Sequence, residues 1–288
     1  MKAFEAAVSQ GAMFIETDVH LSKDKIVVMS HDPSLDRVTN GKGLIKDINY
    51  VGGIDQLWTK KEPHQRMPTL KETIEFLTRP ENAHVGLNLD IKMTNPPEEL
   101  FQGIHEVLKA YPDYERVFSR KRVVLGIWHP KFIKPAQRIL PYLGLAHIGV
   151  STRFAREYFW DACDGFSMEF QSMVGAGGAS FRADCAASGK KIMVWTVNER
   201  LSMIQAAKWG NCDAVLTDHP ERFTQLRSEL MGANGQKIRD EVTWRFAWSR
   251  IGYFTAYRYY FDRLAKAHIL KIGGPIEANH TLPDAVRT

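Results

Sequence analysis

The apolar positions of this chain gather in short runs rich in β-branched residues. Between the runs lie stretches whose apolar residues recur at helical spacing. The runs read as strands are "MFIETDV", "KIVVMSHD", "AHVGLNLDIK", "RVVLGIW", "LAHIGVS", "DGFSMEF", "IMVWTVN" and "DAVLTDHP". "PTLKETIEFLTR", with Leu70, Ile74 and Leu77 on one face, reads as a helix, as do "EELFQGIHEVLKAY" and "PKFIKPAQRILPYL". "SFRADCAASGKK" and "RLSMIQAAKWG" are helices closed by Gly189 and Gly210. The opening "MKAFEAAVSQGA" lacks the apolar core of a signal peptide and reads as the tail of an amphipathic helix closed by Gly11. Strands alternating with single helices predict βαβ units on a parallel sheet, and their number favours a (β/α) barrel over an open sheet.

Two segments depart from this rhythm. Between His31 and Pro68 the chain is rich in Gly, Asp and Lys with little periodicity, as expected of an insertion on the catalytic face. After about Leu226 the composition shifts, which divides the chain into a barrel over 1–228 and an extension over 229–288. "SELMGANGQKIRDEV" reads as a linker and the final "PIEANHTLPDAVRT" as disordered. Between them, helical spacing puts Phe246, Tyr253, Tyr257, Tyr260 and Leu264 along one face. Arg245, Arg250, Arg258, Arg263, Lys266 and Lys271 supply positive charge against Asp262. This pattern predicts a helix lying on an anionic membrane surface rather than crossing it. The plainer alternative is an aromatic-rich helix packed on the barrel.

Composition narrows the class without identifying it. Hydrophobic residues make up 44% of 288 and charged residues 25%, as in an ordinary globular chain. A net charge of +5 suits an anionic lipid or phosphate ligand and is too weak to imply nucleic acid. Cys163, Cys185 and Cys212 are odd in number and widely spaced, which argues against a disulfide framework and for a reducing, cytoplasmic setting.

The candidate chemistry sits at strand ends. Glu16 and Asp18 share a strand face at period two, and two neighbouring carboxylates call for a proton or a cation between them. In a barrel that face can be the interior near the active-site mouth; on an edge strand it would be solvent. Asp90 and Lys92 in "LNLDIK" repeat the spacing. Alone they fit an ion pair; with Glu16 and Asp18 they fit a one-metal site for a hard ion such as Mg²⁺ or Ca²⁺, with Lys92 facing a phosphate. His31, ending its run, can exchange a proton near neutral pH, or simply be a hydrogen-bonded loop histidine. Trp195 and Asn198 in "VWTVN" are candidate substrate contacts, with a core aromatic an equal reading for Trp195.

Together, "GAMFIETDVHLSKDKIVVMSHDPSLDRVTNGKG", "MPTLKE", "LNLDIK", "VWTVN" and "AVLTDHP" resemble the glycerophosphodiester phosphodiesterase family in order and spacing, over Met1 to about Leu226. The aspartate of "LDIK" and the basic-aromatic tail resemble the fungal branch that includes a phosphatidylglycerol-specific phospholipase C. The resemblance implies a TIM barrel of the phospholipase C-like phosphodiesterase type and a Mg²⁺ or Ca²⁺ ion on Glu16, Asp18 and Asp90. It implies His31 as one of two catalytic histidines and Lys92 as a phosphate contact. Substrates would be glycerophosphodiesters or phosphatidylglycerol. The glycerol 2-hydroxyl would attack phosphorus, a histidine would protonate the leaving alkoxide, and water would open the cyclic phosphate. The implied setting is peripheral to a membrane: endoplasmic reticulum, lipid droplet or mitochondrial surface.

The family's first strand, ending in His-Arg-Gly, and its "PENT"-like segment have no match in the 288 residues. The expectation is therefore a barrel without its first strand, with exposed strand edges and little turnover. A rival expectation is a catalytically impaired, membrane-associated protein that keeps the pocket. A barrel enzyme of unrelated chemistry is a third.

Overall fold

The computed structural model describes residues 1–242 and 253–277, and side chains over 1–242 and 262–277. Its chain divides into two compact units. The first comprises Met1–Ser9 and Met13–Leu145, the second Gln10–Ala12 and the described residues from Ala146 on.

In the first unit, helix α1 (Lys2–Ser9) leads through Gly11, in the left-handed region at φ 89°, into strand β1 (Phe14–Leu21). Strand β2 (Val27–Met29) returns antiparallel to it, with Val19 opposite Met29 and Leu21 opposite Val27. The βαβ reading had not anticipated this hairpin. The turn is closed by Ser22 N–H to Ile26 O at 3.0 Å, with Lys25 at φ 65°. Strand β3 (Gly86–Ile91) runs parallel to β1 on its other side, and β4 (Val123–Ile127) parallel to β3. Helices α2 (Leu70–Leu77), α3 (Pro97–Lys109), α4 (Tyr114–Val117) and α5 (Ile133–Ile139) complete the unit. α2 falls within "PTLKETIEFLTR", the stretch read as a helix, and a capping box sets its start. The Thr69 hydroxyl accepts from Glu72 N–H, and the Glu72 carboxylate accepts from Thr69 N–H at 2.7 Å.

The aperiodic stretch 31–68 has a small core of its own. Leu35, Ile45, Ile54 and Met67 are buried with Val28 of β2. Asp24, in the β1–β2 turn, fastens it by accepting from Tyr50 N–H at 2.7 Å and Val51 N–H at 3.1 Å.

In the second unit β5 (Gly144–Gly149, from Ala146 on), β6 (Gly165–Glu169), β7 (Lys191–Trp195) and β8 (Ala214–Val215) pair in parallel in that order. Helices α6 (Thr152–Phe159), α7 (Phe170–Val174), α8 (Ala176–Ala187), α9 (Arg200–Lys208) and α10 (Pro220–Met231) alternate with them along the chain. The stretch read as a linker is largely helical, because α10 runs on to Met231 and α11 (Gly235–Glu241) follows. The cause is burial of Leu226 and Leu230, which the polar composition of the segment conceals.

Helix α12 (Tyr253–Gly273) packs against α6, with Lys266 Nζ donating to the Tyr158 hydroxyl at 3.0 Å. Of the predicted membrane face and its charges, Arg245, Phe246 and Arg250 lie outside the described residues, as do the side chains of Tyr253, Tyr257, Arg258 and Tyr260. Among the described residues Leu264, Leu270 and Ile272 are exposed. No helix among them is long and apolar enough to cross a membrane.

Candidate active site

Strand register brings four of the predicted residues together. Asp18 of β1 lies directly opposite Asp90 of β3, and Glu16 opposite Asn88. One ligand oxygen from each of Glu16, Asp18 and Asp90 falls within 4.8 Å of the others. Glu16 is exposed, Asp18 half-buried and Asp90 buried at 5% exposure, so the cluster runs from solvent into the protein.

Lys92 sits between two of these acids. Its Nζ is 2.5 Å from Asp18 Oδ1 and 2.8 Å from Asp90 Oδ2. The other oxygen of Asp90 accepts from Trp128 Nε1 at 2.8 Å. Burial raises the Asp90 carboxyl above the usual carboxylate range, while the Lys92 charge opposes that rise. The Lys92 ammonium is itself held above its ordinary value by the two carboxylates, against its desolvation. Asp18 and Asp90 share the Lys92 ammonium, and Glu16 lies beside them. An all-oxygen, hard donor set of this kind fits Mg²⁺ or Ca²⁺ and not a soft metal.

The backbone around the cluster is pinned by Asn95. Its Nδ2 donates to Val19 O at 2.9 Å and Lys92 O at 3.0 Å, and its Oδ1 accepts from Leu21 N–H at 3.1 Å. Those bonds hold the end of β1 against the residue that follows β3.

His31 follows β2 in an exposed loop, its side chain 69% exposed. The preceding residue, Ser30, donates its N–H to Asp18 O at 3.0 Å. His31 Nδ1 lies 2.9 Å from Asp32 Oδ1. An ionised carboxylate can only accept, so Nδ1 carries the proton and Nε2 is left for chemistry. Asp32 in turn accepts from Arg37 Nε and from Arg37 Nη2 at 3.0 Å. These bonds pull its carboxyl down to about 2, Arg37 contributing most and His31 next.

Trp195 and Asn198 belong to the second unit. Trp195 is half-buried and donates Nε1–H to Ser167 O at 2.9 Å. The Asn198 amide donates to Asp218 Oδ2 at 2.7 Å and accepts from Thr217 Oγ1 and Asp218 N–H. That leaves one amide N–H for a ligand.

Sequence reasoning missed four residues of the acidic face or its supports: His20, Asn88, Asn95 and Trp128. Period-two counting from Glu16 and from Asp90 would have reached His20 and Asn88. Asn95 and Trp128 lie beyond strand ends and carry no such signal.

Comparison with known proteins shows the family and the fold. Residues 1–222 match the Glycerophosphoryl diester phosphodiesterase family. A glycerophosphodiester phosphodiesterase of Caldanaerobacter subterraneus is 27% identical over 78% of this chain and 89% of its own. Human lysophospholipase D GDPD1 is 26% identical over 80% and 81%. An Oleispira antarctica phosphodiesterase, solved in complex with the product sn-glycerol-3-phosphate, superposes with a TM-score of 0.63 at 24% identity, over 77% of this chain and 87% of that one. The fold class is thus α/β of the TIM-barrel type.

Proposed function

This chain belongs to the glycerophosphoryl diester phosphodiesterase family, and on that premise we propose that it hydrolyses a phosphodiester of glycerol with the help of a divalent cation held by Glu16, Asp18 and Asp90. The observation that carries this reading is the convergence of those three carboxylates on one face, with the Lys92 ammonium between Asp18 and Asp90. When bound, Mg²⁺ or Ca²⁺ would supply charge neutralisation and polarisation at phosphate.

The chain's own residues do the rest. Lys92, anchored by Asp18 and Asp90, presents a positive charge to a phosphate oxygen. Trp128 and Lys92 hold the two oxygens of Asp90 in fixed directions. His31 gives its Nδ1 proton to the Asp32 bond, so Nε2 can take up a proton from the attacking hydroxyl or return one to the leaving oxygen. Trp195 and Asn198 are proposed as substrate contacts.

The finer reading is phosphatidylglycerol as substrate, cleaved in the manner of a phospholipase C, at an anionic membrane approached through the C-terminal extension. What supports it is the aspartate at position 90, the basic-aromatic composition of 243–272 and the exposed Leu264, Leu270 and Ile272 of α12. The rival, an impaired membrane-associated member, would keep cation binding without turnover.

Calorimetric titration of Mg²⁺ and of Ca²⁺ into the protein and into Asp90→Asn tests the site. We expect saturable binding that weakens at least about 10–100-fold, the range seen even for supporting residues of metal sites, with the melting temperature of the ion-free variant unchanged or raised. Equal affinities would remove Asp90 from the site.

A further inference from the structure

One polar side chain on the acidic face, that of Asn88, is buried without a partner. Strand β3 is buried at every position. Leu87, Leu89 and Ile91 supply one face, and Asn88, Asp90 and Lys92 lie on the other. Asn88 is 2% exposed. It lies in register with Glu16 on one side and with Val124 of β4 on the other. Neither its Oδ1 nor its Nδ2 has a hydrogen-bond partner.

A primary amide can make four hydrogen bonds, and burying it with none is unfavourable. An apolar residue would suit the same place, as Val124 does on the neighbouring strand. A strand that carries leucine or isoleucine at 87, 89 and 91 has no folding reason to place an amide at 88. The unmet groups are one rung from Asp90 and beside Glu16, two of the three candidate ligands. A cation of this type takes six or more oxygens, more than three carboxylates supply when each gives one, and water fills the remainder.

We infer that Asn88 is a positioning residue of the cation site: its amide finds its partners only in the loaded state, in the Glu16 carboxylate or a water carried by the cation. It acts through those groups and does not touch substrate. The inference rests on the cation reading of the acidic face proposed above.

The test is calorimetric titration of Mg²⁺ and Ca²⁺ into the wild-type protein, Asn88→Val and Asn88→Ser, together with thermal melts of each in the presence of a chelator. Valine is β-branched and suits a strand. Serine is smaller than asparagine, fits the same space, and leaves room for a water. We expect the ion-free melting temperature of Asn88→Val to equal or exceed that of wild type, since the unmet amide is gone. We expect its cation Kd to rise about 10-fold or more, the lower bound for loss of a supporting group at a metal site, with Asn88→Ser between the two. Wild-type affinity in Asn88→Val would overturn the inference while leaving the cation site intact. So would a lowered ion-free melting temperature in both variants, which would make the amide a fold element. Absence of cation binding in the wild type would sink the cation reading, and this inference with it.

Discussion

Asp90 has each carboxylate oxygen engaged by a different donor, Lys92 on one and Trp128 on the other. Trp128→Phe keeps an aromatic side chain but removes the indole N–H together with part of the ring's volume. It should weaken cation affinity several-fold with little change in folding, because the carboxylate loses one of two constraints on its direction; unchanged affinity in titrations of that variant would show that Lys92 alone orients Asp90. His20 shares the face of Glu16 and Asp18 and is buried at 4% exposure. Burial pushes its imidazole down from 6.5 to about 4. Between those values the unfolded chain binds a proton that the folded chain refuses. Stability from this group is therefore complete above pH 6.5 and lost as pH falls through 4, by about 3 kcal/mol in all from the linkage constant. His20→Gln should flatten the fall in melting temperature between pH 7 and pH 4. An identical fall in wild type and variant would mean that other groups set the acid limb. Glu16, Asp18, Asp90 and Lys92 were legible because carboxylates at period two in apolar runs are conspicuous. Trp128 was not, since a tryptophan just past a strand end looks like filler until its hydrogen bond is known, and although period-two counting reaches Asn88, its unmet amide shows only in the structure.

The elements that carry these residues depend on local chemistry that the sequence shows unevenly. The Thr69–Glu72 capping box starts α2, and Val28 bridges to Thr69 while Met29 N–H donates to Pro68 O. Thr69→Ala removes the side-chain cap of α2 and leaves the backbone bridge to β2 in place. It should cost about 1 kcal/mol, within the usual range for cap loss, measured by urea unfolding. A change indistinguishable from zero would mean that the packing of Leu70 and Ile74 fixes the helix unaided. The threonine and glutamate of this box can be read three residues apart in the sequence. The antiparallel β1–β2 hairpin cannot, because β2 is only three residues long and its turn relies on Lys25 in a left-handed conformation. Nor can the core of 31–68, whose Leu35, Ile45, Ile54 and Met67 follow no period and meet only through turns. The helices at 220–231 and 235–241 were hidden for the opposite reason. Few apolar residues mark them, yet Leu226 and Leu230 are buried.

Across the whole chain, the alternation of strand and helix foretold the fold class, and the specific motif from Gly11 to Gly43 foretold the family. The extension is a separate matter. If its basic and aromatic residues hold the protein on an anionic surface, flotation with anionic liposomes should be lost on deletion of residues 243–288 and should weaken with salt. Binding that survives the deletion, or ignores salt, would assign the extension to packing, as the contact of Lys266 with Tyr158 already does for part of α12. If a cation held by Glu16, Asp18 and Asp90 serves phosphodiester cleavage, phosphorus NMR of glycerophosphoglycerol incubated with the protein should show conversion to glycerol phosphate, however slow, that stops with a chelator, returns with excess Mg²⁺ or Ca²⁺, and falls at least about 100-fold in Asp90→Asn. Conversion indifferent to both the chelator and the substitution would contradict it.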